Sequence, residues 1–206
     1  LALGIHHAGV NVNLTALLDP KSDPETGKFL FNQNYLKSLD GQIKPLSDKG
    51  VLVYVILLTY PSKDPGRDAI ALHPDHRKDY KFSVGAFNTT NRFLEEVTDM
   101  LAERWSGAHP EFGRVWGWII GNEVNSHFLW NNMGLVPLET AVSEYEKAFR
   151  IIHNAIRKHS THARTYVSFD HHWASSMHNV SPQEATSGRD YLDRLDTARE
   201  AGVNRS

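Results

Sequence analysis

Residues 115–127 read VWGWIIGNEVNSH, an apolar run that ends at Gly121, Asn122 and Glu123. A short run of bulky apolar residues that stops at a glycine and polar residues is typical of a buried parallel strand. Glu123 follows the carboxyl end of this strand, which is where parallel α/β folds carry their chemistry. The stretch therefore predicts a parallel sheet with Glu123 as a catalytic carboxyl group.

Three further segments have the composition of strands. They are residues 9–14 (GVNVNL), 51–60 (VLVYVILLTY) and 164–170 (RTYVSFD). The second is apolar without alternation, which predicts a strand covered on both faces. Apolar residues recur at helical spacing after each of the four strands, with the clearest pattern over residues 142–156. Strands that alternate with helices predict a parallel sheet with helical crossovers.

Four strand–helix units are about half of an eight-fold barrel, which takes about 250 residues in full. The segments after the predicted strands are long and those after the helices are short, as in a barrel with one active face. An open doubly wound sheet is the alternative, but no Gly-rich phosphate loop follows the first strand. We therefore expect an α/β fold in which residues 1–206 form one partial domain, about half of a TIM-type (β/α)8 barrel.

Composition narrows the partners that the protein can have. Lys and Arg number 22 against 24 Asp and Glu, a net charge of -2, which argues against nucleic acid or an anionic membrane as the main partner. No apolar run approaches the length of a membrane span. Cysteine is absent, which excludes disulfides and thiolate metal sites. The sequence begins with Leu1, so we expect a missing N-terminus; a lost signal peptide would make the protein secreted or periplasmic.

Polar and aromatic side chains follow the predicted strands and should meet at one edge of the sheet. Amides bond sugar hydroxyls, an indole stacks on a pyranose, and a carboxyl group protonates a leaving oxygen. This set predicts an oligo- or polysaccharide substrate and no cofactor. Glu123 is the predicted catalytic residue, and the predicted substrate contacts are Asn11, Asn13, Tyr60, Asn122, Asn125, His171, His172 and Trp173. For Asn11 and Asn13, bonding to neighbouring backbone is an equal alternative.

The Gly121-Asn122-Glu123 motif after a strand resembles the fourth strand of the clan A glycoside hydrolases, which are retaining (β/α)8-barrel enzymes. The resemblance extends over the second to fifth strands of that barrel. It implies that Glu123 is the general acid/base and that Asn122 bonds the hydroxyl next to the anomeric carbon. It also implies a nucleophilic glutamate after the seventh strand, beyond Ser206. We therefore expect the chain to be part of a longer enzyme and inactive by itself.

Two other functions stay open. Histidine is abundant, and the pairs His6-His7, His73/His76 and His171-His172 would suit a metal-dependent hydrolase. Adjacent histidines on a strand face opposite sides, which argues against His171 and His172 as joint ligands, so no metal site is predicted. A carbohydrate-binding barrel without catalysis is the third candidate, because no second glutamate is convincingly placed.

Three further expectations concern Glu123, the tryptophans and the segment after the second predicted strand. Glu123 would be merely structural if a neighbouring arginine held it. Trp116 and Trp118 face the same side of the predicted strand and are both expected in the core. Trp130 and Trp173 are expected in loops at the active edge as sugar platforms. Residues 61–87 are expected to form a long binding loop without periodic structure.

Overall fold

The computed structural model describes residues 4–23, 25–77 and 84–203, with the backbone alone for residues 201–203. The strands are β1 (His7–Asn13), β2 (Leu52–Leu58), β3 (Gly117–Ile120) and β4 (Arg164–Val167). The helices are α1 (Leu14–Leu17), α2 (Gln33–Ser47), α3 (Pro65–Ala71), α4 (Phe93–Arg104), α5 (His127–Trp130), α6 (Leu138–His159) and α7 (Gly188–Val203). None of the helices within these ranges is long and apolar enough to cross a membrane.

The four strands form one sheet in the order β1-β2-β3-β4, and every neighbouring pair is parallel. A helix crossover joins each strand to the next, so all four carboxyl ends lie at one edge of the sheet. The predicted α/β class and the predicted chain order of the strands are confirmed.

The core lies between one face of the sheet and the four long helices. Helix α4 packs on α6, and α6 packs on α7. Alternate strand residues point into this layer because successive side chains of a strand face opposite sides. The buried strand residues are Val10, Val12, Val53, Val55, Leu57, Trp118 and Ile120. Trp118 packs against Trp105 with 6.2 Å between ring centroids, so its predicted place in the core is confirmed. The same prediction is wrong for Trp116, which precedes β3 and is only half-buried.

The other face of the sheet has no covering layer among the residues that the structure describes. Tyr54, Ile56 and Ile119 on this face are only half-buried, and 40% of Tyr166 is exposed. The prediction that residues 51–60 are covered on both faces is therefore wrong for Tyr54 and Ile56, whereas Leu58, at the carboxyl end of the same face, is 3% exposed. The sequence does not distinguish the two faces of β2, because Tyr54 and Ile56 on the open face are apolar like the residues on the buried face.

One row on this open face alternates small and large residues. Gly9, Tyr54, Gly117 and Arg164 are in register across the four strands. A Cβ atom on Gly117 would lie 2.1 Å from Cδ1 of Tyr54. The Tyr54 ring therefore occupies the space above Gly117, and its centroid is 5.7 Å from that of Tyr166.

Several element boundaries differ from the expectations. Helix α3 lies within the segment expected to lack periodic structure, because the Asp64 side chain accepts the N–H groups of Gly66 and Arg67 and Pro65 begins the helix. Residues 78–83 of that segment lie outside the described ranges. Strand β4 ends three residues before Asp170, so residues 168–173 form a loop rather than the end of a strand.

Candidate functional site

The chain leaves β3 through a turn with an unusual backbone. Gly121 has φ +75° and Glu123 has φ +44°. The left-handed region suits glycine, whereas a glutamate there is strained, and such strain collects at functional sites. Two hydrogen bonds to Ser168 hold the turn: the Glu123 N–H donates to its Oγ (3.3 Å) and the Val124 N–H to its carbonyl oxygen (3.0 Å). The loop after β4 thus fixes the position of Glu123.

The Tyr145 hydroxyl, on helix α6, also holds this turn in place. It donates a 2.7 Å hydrogen bond to the carbonyl oxygen of Ile120, the last residue of β3. Burial, and to a lesser degree the neighbouring Tyr191, raises the pKa of Tyr145 well above its ordinary value. The hydroxyl is therefore a permanent donor that anchors the strand end to helix α6.

The carboxylate of Glu123 is half-buried and has no hydrogen bond or ion pair to any residue in the described part of the chain. The Asn122 amide beside it is also half-buried and without a partner there. A structural carboxylate held by arginine, the alternative for Glu123, is not observed among these residues. Both side chains are therefore available to a ligand.

Asn125 is placed differently from its predicted role as a substrate contact. Its side chain is fully buried, and its Nδ2 donates to Asp170 Oδ1 (2.8 Å) and to the Thr186 carbonyl (3.1 Å). Its Oδ1 accepts the Asp170 N–H at 2.9 Å. Since each polar group of the amide is bonded inside the protein, Asn125 fixes the loop and does not reach a substrate.

Asp170 is the centre of this loop contact. Its carboxylate accepts hydrogen bonds from Asn125, the Ser126 hydroxyl and the His172 N–H, and its side chain is only 6% exposed. Burial alone would raise the pKa of Asp170, but these hydrogen bonds outweigh burial and hold the pKa below its ordinary value. Asp170 therefore has a structural role: its carboxylate joins the loops after β3 and β4.

His171 and His172 lie side by side in the loop, with 4.0 Å between ring centroids. The prediction that they face opposite sides of a strand is wrong, because β4 ends at Val167. Nδ1 of His172 is 3.4 Å from Asp170 Oδ2. No group of three or more potential metal ligands is found in the ranges that the structure covers.

Trp173 lies in the same loop and 46% of it is exposed, in agreement with the predicted loop position. Its ring meets the Phe169 ring edge-on at 6.1 Å. Trp130 belongs to the short helix α5 and is half-buried, so it is a poorer platform than Trp173.

The ends of β1 and β2 carry the remaining predicted contacts. The Asn13 side chain caps α1 by accepting the N–H groups of Thr15 (3.1 Å) and Ala16 (3.4 Å), which agrees with the backbone-bonding alternative. Asn11 is exposed on the open face of the sheet. Tyr60 is half-buried at the end of β2; burial, with a smaller effect of the nearby Tyr35, raises its pKa.

Asn132 is an organising residue that the sequence did not reveal. It is fully buried, and its Nδ2 donates to the Arg77 carbonyl (2.8 Å) while its Oδ1 accepts the Gly134 N–H (3.0 Å). Its backbone pairs with Val84 and Ala86. Asn132 thus joins the loops after β2 and β3. Gly134, which has φ +83°, was the available signal for a tight turn here.

A cavity of about 880 Å³ lies elsewhere, along the outer side of α2 beside Phe112. Its charged residues are largely paired with one another: Asp40 with Arg104, and Lys44 with Asp48. We assign the candidate site to the strand ends because Glu123, which has no partner among the described residues, lies there, whereas these four charged residues of the cavity already pair with one another.

Comparison with known proteins gives a family and no named relative. No curated protein matches the chain. A family model described as a family of unknown function (DUF5722) matches residues 1–205. The chain therefore belongs to the DUF5722 family.

Proposed function

We propose that this protein is a retaining glycoside hydrolase in which Glu123 is the general acid/base. The observation that carries the proposal is the half-buried Glu123 carboxylate, which has no partner among the described residues and lies on a left-handed turn after β3. A carboxylate with no protein partner among the described residues keeps its oxygens for a ligand. The carboxyl edge of a parallel sheet is where such folds bind their substrates.

We further propose that the four βα units are half of a TIM-type barrel, with the open sheet face turned to its interior. Two observations support this architecture. All the long helices cover the same face of the sheet, as the outer ring of a barrel does. The row Gly9, Tyr54, Gly117 and Arg164 takes its large side chains from alternate strands, which is how the interior layers of such barrels are filled.

In this mechanism Glu123 donates a proton to the glycosidic oxygen and later removes one from the attacking water. By the resemblance to clan A enzymes, Asn122 bonds the hydroxyl next to the anomeric carbon. The nucleophile is a second carboxylate about 5–5.5 Å away, contributed by residues outside these 206. Asp170 is unsuited to that role because its oxygens already accept three hydrogen bonds.

The substrate in this proposal is an oligo- or polysaccharide that lies across the strand ends. Asn11, Tyr60, His171, His172 and Trp173 are the side chains proposed to contact it. Asn13 and Asn125 shape the site instead, because their amides bond the protein.

A carbohydrate-binding barrel without catalysis is the second candidate. It is favoured by one observation: the other carboxylate at the described strand ends, Asp170, is buried in hydrogen bonds. This candidate predicts saturable sugar binding without turnover.

The proposal is tested in the full-length protein, by comparing Glu123→Gln with the wild type on a panel of glycosides. Removing a general acid/base should lower kcat about 10²–10⁴-fold on substrates with poor leaving groups. Glu103→Gln is the matched control, since Glu103 is exposed on α4. Full activity of Glu123→Gln would eliminate Glu123 as the acid/base, and binding without turnover in wild type would favour the second candidate.

A further inference from the structure

We infer that Trp173 is a fixed platform for one ring of a neutral pyranose glycan, and that Gly188 sets the position of its indole. This inference rests on the carbohydrate substrate of the proposed function. It adds the class of sugar and a positioning residue that does not itself touch the substrate.

The Trp173 indole is exposed and yet held on two sides. Phe169 meets the ring edge-on, with 66° between the ring planes. On the other side, a Cβ atom on Gly188 would lie 2.9 Å from Cε3 of the indole and 3.4 Å from Cζ3. The ring therefore lies against the Gly188 backbone, in space that exists only because residue 188 has no side chain.

Backbone hydrogen bonds fix the loop that carries the ring. The Trp173 N–H donates to the His171 carbonyl (3.0 Å), and the Trp173 carbonyl accepts the Arg189 N–H (3.1 Å). The Gly188 N–H donates to the His172 carbonyl at 2.9 Å. A large exposed aromatic ring that is already ordered loses little side-chain entropy when it binds a ligand. This property separates a binding platform from an incidentally exposed tryptophan.

The platform is also fixed relative to Glu123. Asp170, three residues before Trp173, bonds the side chains of Asn125 and Ser126, which follow Glu123 by two and three residues. Ser168 bonds the backbone of the Glu123 turn directly. A sugar stacked on Trp173 therefore belongs to the same site as the free carboxylate.

The charge of the two loops favours a neutral sugar. Residues 121–137 and 168–187, the loops after β3 and β4, contain no lysine or arginine, whereas they contain Glu123, Asp170 and Glu184. The first lysine or arginine after Trp173 along the chain is the exposed Arg189, in the first turn of α7. Uronate and sulfated sugars are recognised chiefly by arginine and lysine, and carboxylates repel them. A neutral pyranose needs only an apolar ring face for the indole and hydrogen-bonding groups for its hydroxyls.

The test measures binding in a Glu123→Gln background, so that it is independent of hydrolysis. The probes are neutral tetrasaccharides of glucose, xylose, mannose and galactose, with a galacturonic acid tetrasaccharide as the charged probe. Binding is followed by titration calorimetry and by the indole N–H signals of the protein's tryptophans, with Trp173 assigned through Trp173→Phe. We expect at least one neutral probe to bind and to shift the Trp173 signal, and the charged probe to bind more weakly.

Gly188→Ala should weaken the neutral probe about tenfold, since displacing the indole removes about one aromatic stacking contact. The backbone of Gly188 is not in the left-handed region, so alanine introduces no backbone strain there. The effect of the substitution therefore comes from the added Cβ atom. Gly41→Ala is the matched control: Gly41 is exposed on α2 with no atom within 4 Å of an added Cβ, so affinity should not change.

Three results would overturn the inference. Tighter binding of the galacturonic acid probe refutes the neutral class, unchanged affinity in Gly188→Ala refutes the role of Gly188, and failure of every neutral probe refutes the platform. Trp173→Phe keeps an aromatic ring at this position, so it controls for misfolding when another variant loses binding. A wild-type protein that binds neutral sugar without hydrolysing any glycoside would refute the proposed enzyme and leave the platform standing.

Discussion

Glu123 and Asp170 follow neighbouring strands at the same edge of the sheet, yet their surroundings are opposite. Asp170 accepts three hydrogen bonds and is almost fully buried. Glu123 is half-buried, lies on a strained backbone and has no partner among the described residues. The comparison shows that the Asp170 carboxylate joins two loops, and it supports our proposal that the Glu123 carboxylate meets a ligand.

Asp170→Ala should cost the most stability. It removes the carboxylate acceptor of the Ser126 hydroxyl and of one Asn125 N–H, while the other Asn125 N–H keeps the Thr186 carbonyl; the loss should lower the free energy of unfolding by about 3 kcal/mol. Asp193→Ala, at an exposed position on α7, should change it by less than about 0.5 kcal/mol. Urea unfolding measures both. Equal effects in the two variants would show that the hydrogen bonds of Asp170 do not hold the loops together.

Ser126→Ala should cost less, about 1 kcal/mol, because Asp170 loses one donor and keeps the other two. The same unfolding experiment measures it. Combined with Asp170→Ala it should add almost nothing, since the partner of the hydroxyl is already gone. Full additivity of the two losses would contradict the direct contact.

Glu123→Gly should raise the free energy of unfolding by up to about 1 kcal/mol. Glycine relieves the left-handed strain at φ +44°, and no side-chain hydrogen bond or ion pair within the described residues is lost. The same variant should lose the activity that we propose. Destabilisation by more than about 1 kcal/mol would reveal a structural role for the carboxylate and would weaken its contrast with Asp170.

The dependence of stability on pH should carry the smallest signal. Because the pKa of Asp170 is lowered below its unfolded value of 3.8, its stabilising effect is present above about pH 4 and is lost as the pH falls through the folded pKa. Urea midpoints measured between pH 6 and pH 2 should fall less steeply in Asp170→Asn. An unchanged slope in that variant would contradict the lowered pKa.

The sequence predicted those features that depend on local pattern. The apolar periods of α6 and the apolar runs of β2 and β3 predicted four strands and their helices in the right order. The sequence also predicted that Glu123 lies just after the third strand, and the structure places it three residues after the end of β3. Its catalytic role, which was inferred from this position, stays a prediction.

The missed features depend on contacts between distant parts of the chain. Asn125 was predicted to bind substrate, but its partner Asp170 is 45 residues away and only the fold brings them together. The open face of the sheet was missed because Tyr54 and Ile56 are as apolar as the buried face of β2. The type of a residue determines how much apolar surface it can bury. Whether that surface is buried depends on the arrangement of the other helices and strands.

The role of Glu123 as proton donor is tested most directly by measuring how the activity of Glu123→Gln depends on the leaving group. A general acid matters most when the departing oxygen is strongly basic and little when it leaves as an acidic phenol. We predict that Glu123→Gln loses about 10²–10⁴-fold in kcat on alkyl glycosides or oligosaccharides, and far less for the glycosylation step of a dinitrophenyl glycoside. Equal losses on both substrates, or no loss on either, would contradict Glu123 as the proton donor.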